Sequence, residues 1–496
     1  MKRVAFDTEK YIKIQSEKIM ERVNMFHNKL YLEFGGKLFD DGHASRVLPG
    51  FEPDVKVKML SNIRDQVEIV IAINANDIEK NKIRGDYGTT YAQEVLRLID
   101  AFHGMELFVG SVVITQYANQ SNADKFRDQL TQLGIKTFIH YPIEGYPTNL
   151  SLILSDDGYG KNEYIETERP LVVMTAPGPG SGKMATCLSQ MYHDYKNGIQ
   201  SGYAKFETFP IWNLPLKHPI NMAYEAATAD LDDVNMIDPF HLEAYGQLTV
   251  NYNRDVEVFP VLSTILTKIM GESPYKSPTD MGVNMIGYCI SDDDAARQAS
   301  FDEIIRRYYA ALVEYKTGLT NSPSALNKIE VLMNQVGLTP LDRACVSAAL
   351  EKRDATGLPS VAIELSDGHM VTGKESTLLG ASAAALLNAL KYLAHIDDDI
   401  MLISPNIIEP VVKLKVDRLG NHNPRFHLDE VLLALSISAT MNPMADKALK
   451  YLPKLNDAQA HSTVILSNGD REMYRKLGMQ VTFEPVYRTK KLFHSK

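Results

Sequence analysis

Residues Pro170–Gly198, PLVVMTAPGPGSGKMATCLSQMYHDYKNG, decide the fold class of this chain. The stretch opens with the apolar run Leu171–Met174, which predicts a buried parallel strand. A loop of proline, glycine and serine follows and ends at Lys183. Beyond it, apolar side chains recur at the spacing of one helix face: Met184, Cys187, Leu188, Met191, Tyr192 and Tyr195. A strand, a glycine-rich loop, a lysine and a helix form the context that a phosphate-binding loop requires.

The physical basis of such a site is the start of the helix. Its first N–H groups lack partners within the helix and carry partial positive charge, so they attract anions. Glycines let the backbone approach a phosphate closely, and a lysine adds a full charge. We therefore expect Lys183 to be the catalytic cation. The expected phosphate-binding residues are Gly178, Gly180, Ser181, Gly182, Lys183, Met184 and Thr186.

The segment GPGSGK at 178–183 resembles the phosphate loop of adenylate-kinase-like nucleotide kinases. This resemblance implies ATP or another nucleoside triphosphate, with magnesium, as the cofactor. The chain departs from the full phosphate-loop pattern at two positions: Pro177 replaces its first glycine, and Met184 replaces the hydroxyl residue that binds magnesium. The nearest hydroxyl, Thr186, comes later. A strand-to-helix turn whose lysine is merely solvated remains an alternative.

Length, charge and cysteine usage exclude several classes of protein. The 496 residues correspond to roughly three domains of ~150 residues each. A net charge of −10 gives no reason to expect nucleic acid or an anionic membrane surface as a partner. The three cysteines are far apart in sequence, which favours a reducing compartment over a disulfide framework. With neither a signal peptide nor an apolar span, a cytoplasmic protein without membrane contacts is expected.

Between residues 67 and 176, predicted strands alternate with predicted helices. This order indicates an α/β fold with a mostly parallel, doubly wound sheet. Ligands of such sheets bind at the carboxyl ends of the strands, where the glycine-rich loop also falls. Arg84 follows the first of these strands, so it is either a second anion contact or a solvated surface charge. The predicted strands are 67–73, 112–114, 136–139 and 171–174, and the helices are 90–103 and 123–133.

Two further polar positions are candidates for the chemistry. The loop that follows the strand Tyr31–Phe34 contains Asp41, His43 and Arg46, which either bind a substrate or form a solvated hairpin tip. Downstream, a short apolar run at 234–237 ends in Asp238. An aspartate at the end of a strand after a phosphate loop is where a magnesium-binding acid is expected, although Asp-Pro is also an ordinary turn starter.

The sequence divides into three predicted domains: 1–254, an α/β domain with the phosphate-loop-like segment; 255–356, a helical domain; and 357–496, a smaller C-terminal α/β domain. In the middle domain an apolar, aromatic-rich stripe predicts either a core or a homo-oligomer interface; its members are Phe301, Ile304, Ile305, Tyr308, Tyr309 and Leu312. The C-terminal domain opens with a predicted hairpin around an Asp-Gly turn and ends in strand, helix and strand.

Four long segments, 34–50, 175–194, 276–284 and 372–391, carry a resemblance that spans most of the chain. Through them the chain resembles a family of uncharacterised bacterial proteins of about this length. No activity is attached to that family, so this resemblance implies nothing about chemistry.

Three functions stay open on these residues. The first is phosphoryl transfer from a nucleoside triphosphate to a small molecule, since such catalysis depends mostly on positioning and charge neutralisation. The second is non-catalytic binding of a nucleotide or phosphometabolite, which the missing hydroxyl at Met184 favours. The third is an enzyme, such as an isomerase or lyase, that anchors a phosphometabolite without using a nucleotide.

Overall fold

The computed structural model describes residues 3–27, 29–84 and 88–488 of the chain. It consists of two compact units. The N-terminal unit comprises Val4–Glu225 and Asp232–Ser300, and the C-terminal unit comprises Phe301–Lys496 with Met1–Arg3 and Ala226–Leu231. The three-domain division made from the sequence stays a prediction.

A six-stranded parallel sheet forms the centre of the N-terminal unit, in the order β4-β3-β2-β5-β1-β6. This confirms the predicted α/β class and parallel sheet. Every residue of β1 and β5 is buried, as expected for apolar runs in the interior of a parallel sheet. The strands are β1 Leu30–Phe34, β2 Val67–Asn74, β3 Phe108–Thr115, β4 Thr137–Ile139, β5 Leu171–Thr175 and β6 Gly202–Phe206.

The pairing register brings the carboxyl ends of distant strands together. β5 lies between β2 and β1, and β1 in turn pairs with β6. Glu33 of β1 is level with Met174 of β5 on one side and Lys205 of β6 on the other. The loops that leave β1, β5 and β6 therefore begin at one edge of the sheet.

The helices of this unit connect and cover the strands. They are α1 Thr8–Met25, α2 Gly42–Val47, α3 Val55–Asn62, α4 Ala75–Glu79, α5 Tyr91–Gly104, α6 Ser121–Gln132, α7 Leu150–Ile153, α8 Lys183–Lys196, α9 Pro219–Ala227, α10 Pro239–Tyr245, α11 Asn253–Met270 and α12 Pro278–Met281. A separate antiparallel pair consists of β7 Asn235–Ile237 and β8 Val250–Tyr252. The short run before Asp238 is thus a strand, but it lies outside the parallel sheet.

The C-terminal unit contains a smaller, mixed sheet in the order β10-β9-β11-β12. The predicted hairpin is confirmed, since β9 and β10 pair antiparallel around the Asp-Gly turn. β9 also pairs antiparallel with β11, which runs parallel to β12. The strands are β9 Ser360–Glu364, β10 Met370–Lys374, β11 Gln459–Ser462 and β12 Gln480–Phe483.

The remaining helices follow α12 in the chain. They are α13 Asp293–Lys316, α14 Ser324–Val336, α15 Ala344–Thr356, α16 Ala381–Leu393, α17 Pro405–Lys413, α18 Leu428–Ala439, α19 Pro443–Leu449 and α20 Asn468–Lys476. In α13, Ile304, Ile305 and Tyr309 of the apolar stripe are buried, with Tyr309 packed on His461. These three side chains serve the core, and the homo-oligomer stays a prediction. None of the helices in the described part of the chain combines the length and apolar character that crossing a bilayer requires.

Candidate functional site

The glycine-rich loop ends where α8 begins at Lys183. Gly182 precedes the helix in the left-handed conformation, at φ +83°, and provides no side chain to cap it. Among the described residues, no acceptor receives the backbone N–H groups of Lys183, Met184 and Ala185. The helix start thus presents uncapped donors and its partial positive charge, as an anion site requires.

Neighbouring strands hold this loop by its carbonyl groups. Asn74, at the end of β2, donates from Nδ2 to the Gly180 carbonyl at 3.2 Å, and the Thr115 hydroxyl of β3 donates to the Ser181 carbonyl at 2.8 Å. The loop carbonyls are therefore engaged by protein donors, whereas the N–H groups at the start of α8 remain for a ligand. Uncapped N–H donors at a helix start suit an anion better than a cation.

The predicted loop residues divide into two groups. Gly178, Gly180, Lys183 and Met184 line a cleft, and Gly178 has to be glycine because a Cβ there would lie 2.3 Å from the Tyr91 hydroxyl.

The hydroxyl groups of Ser181 and Thr186 donate hydrogen bonds to carbonyl groups of the loop itself. The Ser181 hydroxyl donates to the Gly178 carbonyl at 2.8 Å, and the Thr186 hydroxyl donates to the Gly182 carbonyl at 3.0 Å. Neither Ser181, Gly182 nor Thr186 belongs to the lining of the cleft. Both hydroxyls consequently stabilise the loop.

The cleft has a volume of about 600 Å³ and opens at the carboxyl ends of β1, β5 and β6. This is the edge of the sheet at which the sequence predicts ligand binding. Six cationic side chains and three carboxylates line it among the described residues, although the whole chain carries a net charge of −10. The cations are Lys37, Arg84, Arg97, Lys183, Lys205 and Arg254, and the acids are Glu33, Glu207 and Asp255.

A cluster of hydrogen-bonded ionisable groups forms one wall of the cleft. The Lys205 ammonium lies 2.9 Å from Glu207 Oε1 and 2.5 Å from Asp255 Oδ1, and it donates to the Tyr252 hydroxyl at 2.7 Å. The Tyr252 hydroxyl in turn donates to Glu207 Oε1 at 2.5 Å. Gly35 makes room for this cluster, since a Cβ there would lie 2.5 Å from Glu207 Cγ.

The surroundings of this cluster change its protonation. Burial raises the pKa of the Glu207 carboxyl to about 7, with Asp255 adding to the rise and the Lys205 ammonium opposing it. Burial disfavours the charged form of Lys205, but Asp255 and Glu207 outweigh it and hold the pKa of Lys205 well above its usual range. Near neutral pH, Glu207 can therefore either accept or donate a proton beside a fixed positive charge.

The predicted substrate residues Asp41, His43 and Arg46 do not line the cleft. Asp41 caps α2 and lies 2.6 Å from the buried ammonium of Lys56. Burial opposes ionisation of Asp41, but Lys56 and the backbone N–H of Ala44 outweigh it and lower its pKa. His43 packs edge-on against Phe209. Asp41 thus has a structural role as a cap and ion-pair partner, and substrate binding by Asp41, His43 and Arg46 stays a prediction.

Asp238, the predicted magnesium acid, caps α10. Its carboxylate is fully buried and accepts four hydrogen bonds, from the N–H groups of Phe240, His241 and Thr279 and from the Thr279 hydroxyl. It does not line the cleft. Within the described residues, no three His, Cys, Asp or Glu side chains are arranged to hold a metal ion. The geometry therefore favours the turn interpretation of Asp-Pro over the metal interpretation.

Arg84 is the predicted substrate residue that does lie at the cleft. Its guanidinium pairs with Glu94, which is fully buried on α5. The acid–base cluster of Lys205, Glu207 and Asp255, by contrast, was not predicted from the sequence. Lys205 and Glu207 flank Phe206, the last residue of β6, and the strand predicted from the sequence at 203–212 ran past that end. Asp255 comes from α11, and no local pattern connects it with the loop.

Comparison with known proteins gives a full-length relationship. Residues 4–337 match the family model described as Domain of unknown function DUF1846, N-terminal, and residues 341–493 match its C-terminal counterpart. A UPF0371 protein of Streptococcus thermophilus and another of Streptococcus sanguinis are each 59% identical to this chain over 493 residues. The alignments cover 99% of this chain and 100% of each relative. A UPF0371 protein of Streptococcus pneumoniae is 58% identical over the same length.

Proposed function

Because the chain belongs to the DUF1846 family, whose description names no activity, we propose its function from the chemistry of the cleft. We propose an enzyme that binds a small phosphate-bearing metabolite and moves a proton on it. The supporting observation is that one cleft is lined by both the glycine-rich loop with Lys183 and the cluster around Glu207.

The loop supplies the anchor for the phosphate. The N–H groups at the start of α8 lack acceptors among the described residues, and Lys183 adds a charge beside them. Within the described residues, the Lys183 ammonium forms no hydrogen bond or ion pair. A phosphate would accept hydrogen bonds from donors that are already in place. Binding would therefore not require the free energy of reordering the loop.

The cluster supplies the proton transfer. With its pKa near 7, the Glu207 carboxyl is a suitable general base or acid at neutral pH. When Glu207 takes a proton from carbon or oxygen of the ligand, the Lys205 ammonium can stabilise negative charge that develops on the ligand. Tyr252 holds Glu207 in position through its hydroxyl. An isomerisation or an elimination on a phosphometabolite needs these parts.

Phosphoryl transfer from a nucleoside triphosphate is the second candidate, favoured by the order of strand, loop, Lys183 and helix. The magnesium ion that accompanies a nucleoside triphosphate would need oxygen ligands near the loop. The Met184 side chain has no oxygen, and the Thr186 hydroxyl donates to the Gly182 carbonyl. Among the described residues, the start of α8 therefore offers magnesium no free side-chain oxygen.

Solvent exchange distinguishes these functions. The protein is incubated in D₂O with a mixture of phosphorylated metabolites, with and without MgATP, and the products are analysed by mass spectrometry. We expect deuterium to enter a metabolite without MgATP, and Glu207→Gln to abolish this. Transfer that requires MgATP would favour the kinase function, while binding without any turnover would indicate a non-catalytic binder.

A further inference from the structure

Helix α18 of the C-terminal unit is apolar on its outer face as well as on its inner one. The inner face packs in the core of that unit. On the outer face, Leu433 is 68% exposed, and Ile437 and Met441, in the turn that follows the helix, are exposed as well. No charged residue occurs between positions 431 and 445. A helix that is hydrophobic on all sides is normally covered on all sides.

Another surface helix of the same unit shows the ordinary pattern. α20 buries Tyr474 and exposes the charged side chains of Arg471, Glu472 and Arg475. Charged outer faces keep a surface helix in water and keep copies of a protein apart. The uncharged outer face of α18 therefore indicates contact with another apolar surface.

Methionines extend this face beyond the end of α18. Asn442 donates from Nδ2 to the carbonyl groups of Met401 and Leu402, at 3.1 and 3.4 Å, and its Oδ1 accepts from the N–H of Met444. Met401 and Met444 are exposed and thus lie beside Met441, around the same asparagine. The α18 face consists of five exposed side chains: Leu433, Ile437, Met441, Met401 and Met444.

The α18 face is large enough for a stable contact between proteins. The exposed fractions of its side chains together amount to about three complete side chains. This is ~500 Å² of apolar surface, near the upper end of the ~300–600 Å² that the largest patch of a monomer covers. A standard interface buries ~800 Å² on each partner, slightly more than half of it apolar. The face thus supplies the apolar part of such an interface.

The order of side chains along α18 is symmetric about Ile437. Leu433 precedes it by four residues and Met441 follows it by four, which is the spacing of neighbours on one helix face. If two copies of the helix pack antiparallel about a two-fold axis at Ile437, Leu433 of each copy meets Met441 of the other. Ser436 and Thr440 are also exposed, and their small side chains allow close helix packing.

Charge also favours a second copy as the partner. The net charge of −10 makes two copies of this chain repel each other. An uncharged face is where they can meet without bringing like charges together or removing charges from water. The α18 face is therefore complementary to itself in charge as well as in shape.

We infer that this protein forms a two-fold symmetric dimer through the α18 face, with Ile437 at the axis. Such an interface uses the same surface of both copies, so it needs no second docking surface. The inference is independent of the proposed function, because it involves neither the glycine-rich loop nor the acid–base cluster. It places the contact on α18 and not on the apolar stripe of α13, whose Ile304, Ile305 and Tyr309 are buried.

Sedimentation equilibrium of the full-length protein tests the dimer. We expect the natural protein to sediment at twice the mass of one chain at micromolar concentrations. Ile437→Asp places two carboxylates together at the axis and should weaken the dimer by at least about 100-fold. Leu433→Asp should weaken it as well, and unfolding temperatures verify that each variant folds.

Leu248→Asp is the matched control. Leu248 is 70% exposed, almost the same as Leu433, but it belongs to the N-terminal unit. Leu248→Asp adds the same charge to the chain and should leave the dimer intact. Equal dissociation in this control would attribute the effect to net charge and overturn the inference.

Introduced cysteines test the antiparallel register. The three natural cysteines are buried, so an exposed cysteine reports its own contacts. Under mild oxidation, Ile437→Cys should form a disulfide between two copies, because both thiols lie at the axis. Leu433→Cys and Met441→Cys should cross-link when the two variants are mixed, and each much less when alone. Cross-links that ignore this order would contradict the two-fold axis.

Three other results would overturn the inference. One is a natural protein that stays monomeric up to about 100 µM, where even a weak specific dimer forms. Another is a dimer that survives both Ile437→Asp and Leu433→Asp. The third is a monomer that binds phosphatidylcholine vesicles and loses this binding in Ile437→Asp, since the α18 face would then contact a lipid surface and not a second copy.

Discussion

Lys183 is the residue on which the proposed phosphate binding depends most directly. Its ammonium lines the cleft beside uncapped N–H groups, and the side chain is only partly buried. Lys183→Ala should therefore weaken binding of inorganic phosphate at least about tenfold, the value of one charge-assisted contact. The free energy of unfolding should change by less than ~0.5 kcal/mol, as for surface substitutions. Calorimetry and denaturant unfolding measure the two effects.

Lys196→Ala is the control for this prediction, since Lys196 lies at the other end of the same helix and pairs with Asp156. It should leave phosphate binding unchanged. Unaltered phosphate affinity in Lys183→Ala would contradict the assignment of the loop as an anion site.

The raised pKa of Glu207 leads to a prediction about how stability depends on pH. Its pKa is raised by burial from the ordinary 4.5 to about 7, so the folded state binds the proton more tightly than the unfolded state does. The stability that this provides is fully present below pH ~4.5 and is lost as the pH rises through ~7. Glu207→Gln keeps a neutral side chain at every pH and should raise the unfolding temperature relative to the natural protein more at pH 8 than at pH 5.

The exposed Glu144 supplies the comparison for that experiment. Glu144→Gln should shift the unfolding temperature equally at both pH values. A difference between the natural protein and Glu207→Gln that does not vary with pH would mean that Glu207 titrates in its ordinary range.

At the scale of the element, a substitution of the residue that caps α10 tests whether Asp238 is a structural cap or a magnesium ligand. The buried carboxylate accepts four hydrogen bonds, so Asp238→Ala leaves several donors without an acceptor. We expect the free energy of unfolding to fall by ~2–3 kcal/mol, from the lost cap and the unsatisfied donors. Magnesium should stabilise neither the natural protein nor the variant, which thermal unfolding with added MgCl₂ measures.

Asp7→Ala is the matched cap variant, because Asp7 caps α1 with a single exposed hydrogen bond to the Lys10 N–H. It should cost ~1 kcal/mol or less. If magnesium raised the unfolding temperature of the natural protein but not that of Asp238→Ala, Asp238 would bind the ion after all.

At the scale of the whole molecule, the three cysteines report on the folding of both units. Cys187 and Cys289 are buried in the N-terminal unit and Cys345 in the C-terminal unit. Burial raises the pKa of Cys289 and Cys345 to about 11 and that of Cys187 well above its usual range. Since the thiolate is the reactive form, native thiols should react with a maleimide at pH 7 at least ~100-fold more slowly than denatured ones.

Mass spectrometry of labelled peptides assigns each rate to its cysteine, with the protein in denaturant as the reference. Rapid labelling of one cysteine in the native protein would show that the unit around it opens readily.

Local signals were enough to predict the parallel sheet and the order of strand, glycine-rich loop and helix around Lys183, while anion binding by that loop stays a prediction. Apolar runs such as Leu171–Met174, alternating with helical periodicity, specify parallel strands because such strands are buried on both faces. Glycines and a lysine at the start of a helix specify the loop because the chemistry of a helix start depends only on neighbouring residues. Arg84 was also predicted from its place after a strand, although its partner Glu94 was not.

Only the tertiary structure decided what else surrounds that loop. β1 lies beside β5, and β6 beside β1, because burial of all the apolar strands together sets their order, and this brings Lys205 and Glu207 to the cleft. Asp255, on α11, also lines the cleft. Arg97 lies one helical turn after Glu94 on α5 and donates to its carboxylate. The sequence by itself determined an α/β fold and a glycine-rich loop that leads from a strand into a helix at Lys183. The acid–base cluster follows from long-range packing, because Asp255 lies 50 residues from Lys205 in the sequence, whereas the pairing of Glu94 with Arg97 is a local contact on one helix.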